Sequence, residues 1–210
     1  MHREAYFSLI CHFKPIYSLN FLAHMYLSCS DEELLVGNFL GDFLKNKEVS
    51  LLSPGIQRGI QLHRAIDHFT DGHPSVKACT KLVHNSLGKY APVALDIYFD
   101  YVLYRHWDRY GGLSFTELEP YVYDCLRRYF HVYPERVSHN IEKMVEGRFL
   151  SKYISLEGLE WTFKMVSRRT SFKSQLPDAV QHLRKRDEEI VQHFHDFFPA
   201  VIELAESYCT

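Results

Sequence analysis

Histidines and aspartates recur inside otherwise apolar stretches of this chain, several at an interval that a helix brings to one face. His63 and Asp67 stand four apart in Leu62-His63-Arg64-Ala65-Ile66-Asp67, and Asp71 follows after four more. Asp96 and Asp100 repeat the interval in Leu95-Asp96-Ile97-Tyr98-Phe99-Asp100. His24 lies in Asn20-Phe21-Leu22-Ala23-His24, and Asp42 in Gly37-Asn38-Phe39-Leu40-Gly41-Asp42-Phe43. Side chains four apart are neighbours on a helix, one turn from each other. Carboxylates that converge in an apolar interior repel, and an uncompensated buried charge costs several kcal/mol. A divalent cation relieves both penalties. Imidazole and carboxylate donors without thiolate suit manganese, iron or zinc, and the oxygen-rich balance favours a harder ion such as Mn²⁺ or Mg²⁺. Such an ion polarises a phosphoryl oxygen and acidifies water, so phosphate-ester hydrolysis is the chemistry to expect. The plainer reading is that Asp67 pairs with Arg64 or Arg58 and that Asp71 closes its helix.

The elements that must position these residues read as helices almost throughout. No alternating strand pair joined by a hairpin turn is present. Ser30 with Glu33 three residues on has the capping-box spacing and opens a helix through Leu34, Leu35, Phe39, Leu40 and Phe43. Pro54 opens a second, carrying Ile56, Ile60, Leu62 and Ile66 and ending near Asp71-Gly72. Pro74 opens a third that closes near Gly88, and Pro92 a fourth that runs to Gly111-Gly112. Proline at the start and glycine past the end is the expected punctuation. Further helices are expected over 114–131, 134–147, 155–168 and 176–208, the last broken near Pro199. No repeat or linker divides the chain, so one all-α, single-domain helical bundle is expected.

Composition narrows the function classes. A chain of 210 residues fits one domain and can bury a core without disulfides or structural metal. Apolar residues make up 46%, which calls for a packed interior rather than disorder. A formal charge of -2 argues against an acidic solvating tail and against a globally basic nucleic-acid binder. Cys11, Cys29, Cys79, Cys125 and Cys209 are scattered, with no CxxC pair, so neither a zinc knuckle nor a secreted disulfide framework is expected. A reducing cytoplasm suits them. The run Ala5–Cys11 is too short to span a bilayer, and no small-residue cleavage site follows before Lys14-Pro15. Neither membrane attachment nor nucleic-acid binding is expected.

Taken in order and spacing, the motifs resemble the acyl carrier protein phosphodiesterase family. The resemblance rests on the His24, Asp42 and His63–Asp67 segments quoted above, with Thr70-Asp71, Ala91-Pro92-Val93-Ala94-Leu95-Asp96, Asp100 and Arg105-His106-Trp107. Ser167-Arg168-Arg169 and Phe197-Phe198-Pro199 extend it, so that it covers residues from about 19 to the end. Each piece is weak alone; the combination is specific. That family is similar to a divergent branch of the HD phosphohydrolases, all-helical enzymes with a His and Asp metal site. Their adjacent His-Asp pair is replaced here by Gly41-Asp42, and His63 is expected to supply the missing imidazole.

The resemblance implies a metal neighbourhood of His24, Asp42, His63, Asp67 and Asp96, with Asp100 beside them, and Asp71 and His106 orienting ligands. It implies a domain over 19–210 behind an N-terminal extension, residues 1–18. The implied reaction is hydrolysis of holo-acyl carrier protein to the apo protein and 4'-phosphopantetheine. The expected cofactor is a divalent metal, Mn²⁺ first, with Mg²⁺ or Fe²⁺ as alternatives. Asp67 would orient water, Arg64 would offset charge on the equatorial oxygens, and His63 or His106 would protonate the leaving serine oxygen. Carrier proteins of this type are small and strongly acidic, so a basic docking patch is expected at Arg168 and Arg169, with Arg105 and Arg109 as further members. Two other readings compete: an HD-type phosphohydrolase acting on a nucleotide or other small phosphoester, and a helical binding module without catalysis.

Overall fold

The computed structural model describes residues 21–168, 170 and 174–209; the expected N-terminal extension and Arg169 lie outside them. Among the described residues there are helices and no strands, so the all-α expectation holds. The α-helices are α1 (Phe21–Tyr26), α2 (Glu32–Leu40), α3 (Asn46–Val49), α4 (Pro54–Gly72), α5 (Pro74–Leu87) and α6 (Ala91–Arg105). They continue as α7 (Phe115–Arg128), α8 (Glu135–Glu146), α9 (Leu156–Ser167), α10 (Ala179–Arg184) and α11 (Asp187–Glu206). Leu34, Phe39, Ile60, Ile66, Val102, Phe163 and Phe194 are among the side chains that meet in one continuous core. Each such burial contributes about 1.5–3 kcal/mol.

Local chemistry sets most helix starts. Ser53 accepts from Ile56 N ahead of Pro54, and His73 Nδ1 accepts from Ser75 N ahead of Pro74. Ser114 and Glu117 form a reciprocal capping box for α7. Three expectations shift. The cap of α2 is Asp31 and not Ser30: Cys29 and Ser30 both take a left-handed φ of 56° to turn out of α1, so Asp31 is the residue that accepts from Leu34 N, at 3.0 Å. Helix α6 stops at Arg105, and the chain turns through Trp107, whose Nε1 donates to Leu113 O at 2.8 Å. Pro199 lies inside α11; the break falls instead at Lys185-Arg186. Proline removes one helix hydrogen bond, but Pro199 faces solvent while Phe197, Phe198 and Val201 stay buried around it.

Two contacts fix the elements that matter for the site. Helices α2 and α4 touch backbone to backbone: a Cβ on Gly37 would lie 2.1 Å from Ile56 O and 2.7 Å from Gly59 Cα. A Cβ on Gly59 would lie 2.3 Å from Leu34 O. The short helix α1 is capped from a distance, because Asp100 on α6 accepts from Leu22 N and Ala23 N, each at 2.9 Å. No disulfide framework was expected from the scattered cysteines, and a single pair is linked: Cys29 and Cys209 form a disulfide, their Cα atoms 5.9 Å apart and 180 positions apart in sequence. Cys79 and Cys125 are free and buried.

Gly37→Ala should therefore destabilise the protein by about 1–3 kcal/mol or more, because backbone rather than a movable side chain meets the new methyl. Gly72→Ala, where an added Cβ meets nothing within 4 Å, serves as the control. Urea unfolding of both variants reads the difference, and equal midpoints would refute the tight crossing.

Candidate metal centre

The crossing of α2 over α4 brings Asp42, on the turn that leaves α2, against His63 and Asp67 on α4. His63 Nε2 lies 3.3 Å from Asp42 Oδ1 and 3.2 Å from Asp67 Oδ2. The other Asp67 oxygen, Oδ1, lies 3.3 Å from His24 Nε2 on α1. The two imidazoles stack, with centroids 4.4 Å apart. One donor atom from each of Asp42, His63 and Asp67 lies within 4.8 Å of the others, the one such His/Cys/Asp/Glu trio among the described residues. The Asp42 and Asp67 side chains keep 26% and 35% of their surface exposed, so a phosphate group can reach them.

Gly41 makes this arrangement possible. A Cβ there would sit 2.3 Å from the Cγ and Cδ2 atoms of His63. A histidine at position 41 and the His63 ring cannot share that space. His63 reaches the cluster from α4 through the space that Gly41 leaves open.

Charge is poorly balanced without a cation. Burial raises Asp96, on α6, and the nearby Asp71, Asp67 and Asp42 carboxylates raise it further, to about 8. Burial alone would lower His63, but its hydrogen bonds to Asp42 and Asp67 outweigh that and hold the imidazolium up to about 10. Burial would raise Asp67, yet the bonds from His24 and His63 keep its carboxyl well below the usual range. Protons on His63 and Asp96 thus do part of the work that a dication would do better. Clustered carboxylates, two imidazoles and no thiolate form a donor set that fits a divalent metal.

Not every expected residue joins the cluster. Asp100 is turned to α1, both oxygens occupied by backbone N–H groups, so it holds a helix rather than an ion. Asp71 is exposed, with burial first and then the Asp67 charge raising it. His106 follows α6 ten residues beyond Asp96, about 15 Å along the axis, and its ring packs against His195. That distance removes it as proton donor and as ligand support. Arg64 is exposed and donates to Asn46 Oδ1 at 2.7 Å, beside the segment that follows Asp42. The plainer reading of Asp67 fails, since Arg58 pairs with Asp31 and Asp67 with two histidines.

Of the docking arginines, Arg105 is already engaged: Asp187 takes its Nη1 at 2.7 Å and also the Tyr98 hydroxyl at 2.7 Å. Arg109 and Arg168 are exposed. One contributor went unread in the sequence. Asn38, fully buried, holds His24 Nδ1 at 2.6 Å through its side-chain oxygen. Its signal was a lone amide among apolar neighbours, four residues before Asp42.

A sequence profile of the acyl carrier protein phosphodiesterase family matches residues 19–201. The acyl carrier protein phosphodiesterase of Photorhabdus laumondii is 29% identical over 203 residues, covering 91% of this chain and 98% of its own. That of Serratia proteamaculans is 25% identical over 189 residues, covering 90% and 98%. That of an Escherichia coli O6:K15:H31 strain is 27% identical over 188 residues, covering 89% and 97%. No solved structure matches the chain.

The electrostatics set a pH dependence. The raised His63 stabilises the metal-free fold fully below its ordinary 6.5, and that contribution fades as pH climbs toward about 10. A metal must displace this proton and the one Asp96 holds below about 8, so apparent Mn²⁺ affinity should rise by about a hundredfold per pH unit through neutrality. Titration calorimetry near neutral pH in two buffers of different ionisation enthalpy should show about two protons released per ion, from His63 and Asp96. An affinity flat with pH would rule out His63 as a ligand.

Proposed function

Because the chain belongs to the acyl carrier protein phosphodiesterase family, we propose that it hydrolyses holo-acyl carrier protein to the apo protein and 4'-phosphopantetheine at the Asp42–His63–Asp67 cluster. The single observation that carries this reading is the convergence of those three donors within 4.8 Å, in the segments that resemble the family. His63, Asp42, Asp67, His24 and Asp96 would hold a divalent ion, with Mn²⁺ the first choice and Mg²⁺ or Fe²⁺ alternatives. When bound, that ion supplies Lewis-acid polarisation of the phosphate and acidifies water at neutral pH.

The chain's own residues do the rest. Asp67, held by two imidazoles, would orient the attacking water. Arg64, held beside the turn after Asp42, brings positive charge toward the equatorial phosphate oxygens. The departing serine oxygen needs a proton, which His63 cannot give once its Nε2 is a ligand, so water at the half-exposed cluster would supply it. Docking of an acidic carrier falls to Arg109 and Arg168, since Arg105 is neutralised by Asp187. No helix among the described residues is long and apolar enough to cross a membrane. The cytoplasm is the setting this reading assigns, where reducing conditions would hold Cys29 and Cys209 as thiols.

Purified protein incubated with Mn²⁺ and holo carrier should lower the carrier's mass by one phosphopantetheinyl group, and a chelator should stop it. Asp42→Ala and Asp67→Ala should each cost at least about a hundredfold in rate while remaining folded. Turnover of a nucleotide panel with no change in carrier mass would favour a small-phosphoester hydrolase instead.

A further inference from the structure

Asn38 sits fully buried between α1 and α2, and each of its side-chain hydrogens has a defined destination. Its Nδ2 donates to the His24 carbonyl at 2.8 Å and to Ser28 Oγ at 3.0 Å. Ser28 Oγ spends its own hydrogen on the same His24 carbonyl, at 2.8 Å, so it meets Asn38 as an acceptor. Both amide hydrogens are thereby used, and the orientation of the amide follows from the network. The atom left facing His24 Nδ1, at 2.6 Å, is Oδ1.

An amide oxygen only accepts. Nδ1 of His24 must therefore carry a hydrogen, since the opposite tautomer would set a lone pair against an oxygen in a buried site. The nitrogen left for an ion is then Nε2, which in the metal-free fold lies 3.3 Å from Asp67 Oδ1 and donates to it. The second imidazole is held differently: His63 Nδ1 is buried with no hydrogen-bond partner, and its ring is seated by contact with Gly41.

We propose that Asn38 is a positioning residue that presets His24 as an Nε2 ligand by keeping a hydrogen on Nδ1, a role resting on the metal-site reading above. A ligating histidine is oriented by what its other nitrogen donates to, and loss of that partner costs about 10–100-fold in metal affinity. The amide does this without adding a further negative charge beside Asp67, Asp42 and Asp96. Ser28 takes part by fixing which way the amide faces.

The test uses the full chain and two readouts. In ¹⁵N-histidine spectra of the metal-free protein, the wild type should show a hydrogen held on His24 Nδ1. Asn38→Leu should allow a form with no hydrogen on Nδ1 and weaken Mn²⁺ binding by about 10–100-fold. Asn38→Asp keeps an acceptor and should retain the Nδ1–H form and most of the affinity. A wild type with no hydrogen on Nδ1 would overturn the proposal before any variant is made. So would variants that bind Mn²⁺ as the wild type does, or that lose affinity equally, because a purely structural amide predicts no difference between Leu and Asp. A wild type that shows the Nδ1–H form but takes up no Mn²⁺ overturns the metal reading itself, a separate failure.

Discussion

The backbones of α2 and α4 meet at Gly37 and Gly59, and the candidate centre exists because nothing stands between them. Glycine inside a helix costs about 0.5–1 kcal/mol relative to alanine. Here that cost is offset by an approach no other residue permits. With the two axes so close, a short turn after α2 suffices to set Asp42 beside His63. The third glycine, Gly41, then gives the imidazole its seat. Small residues on one helix face thus decide where the large polar ones on the next can go.

Around that crossing the fold concentrates negative charge to a degree that metal-free protein tolerates only by holding protons. His63 is a cation bridging two carboxylates, and Asp96 is pushed toward neutrality by burial and three acidic neighbours. Removing one partner would leave the others exposed to their own repulsion, so the residues behave as a unit rather than as independent contributions. The same imbalance that strains the metal-free chain is what a dication would find attractive.

Much of this was legible beforehand, and the misses have physical causes. Helices α4, α5 and α7 announce themselves through proline or serine starts and sharp ends, since their caps are local. Helix α1 does not, because its cap is supplied by Asp100, far along the sequence. The four-residue interval between Asp96 and Asp100 correctly placed both on one face of α6, but an interval cannot say that one carboxylate would be spent on backbone N–H groups. His106 belonged to a matching motif, and motif membership says nothing of the length of helix that separates it from Asp96. Arg105 read as free charge because Asp187, its partner, lies on another helix. His24, Asp42, His63 and Asp67, which the fold brings together, stood out because apolar surroundings make a polar side chain conspicuous.

The bond between Cys29 and Cys209 has a consequence for how this protein is handled. Oxidised, the chain is nearly a ring, since the link encloses almost everything from the α1–α2 turn to the last residues. A loop of that size restricts the unfolded chain by an amount equivalent to about 5 kcal/mol on the chain-entropy account. Preparations with and without thiol reductant are therefore two materials, and a single proteolytic cut within the ring would leave the fragments tethered until the sulfurs are parted.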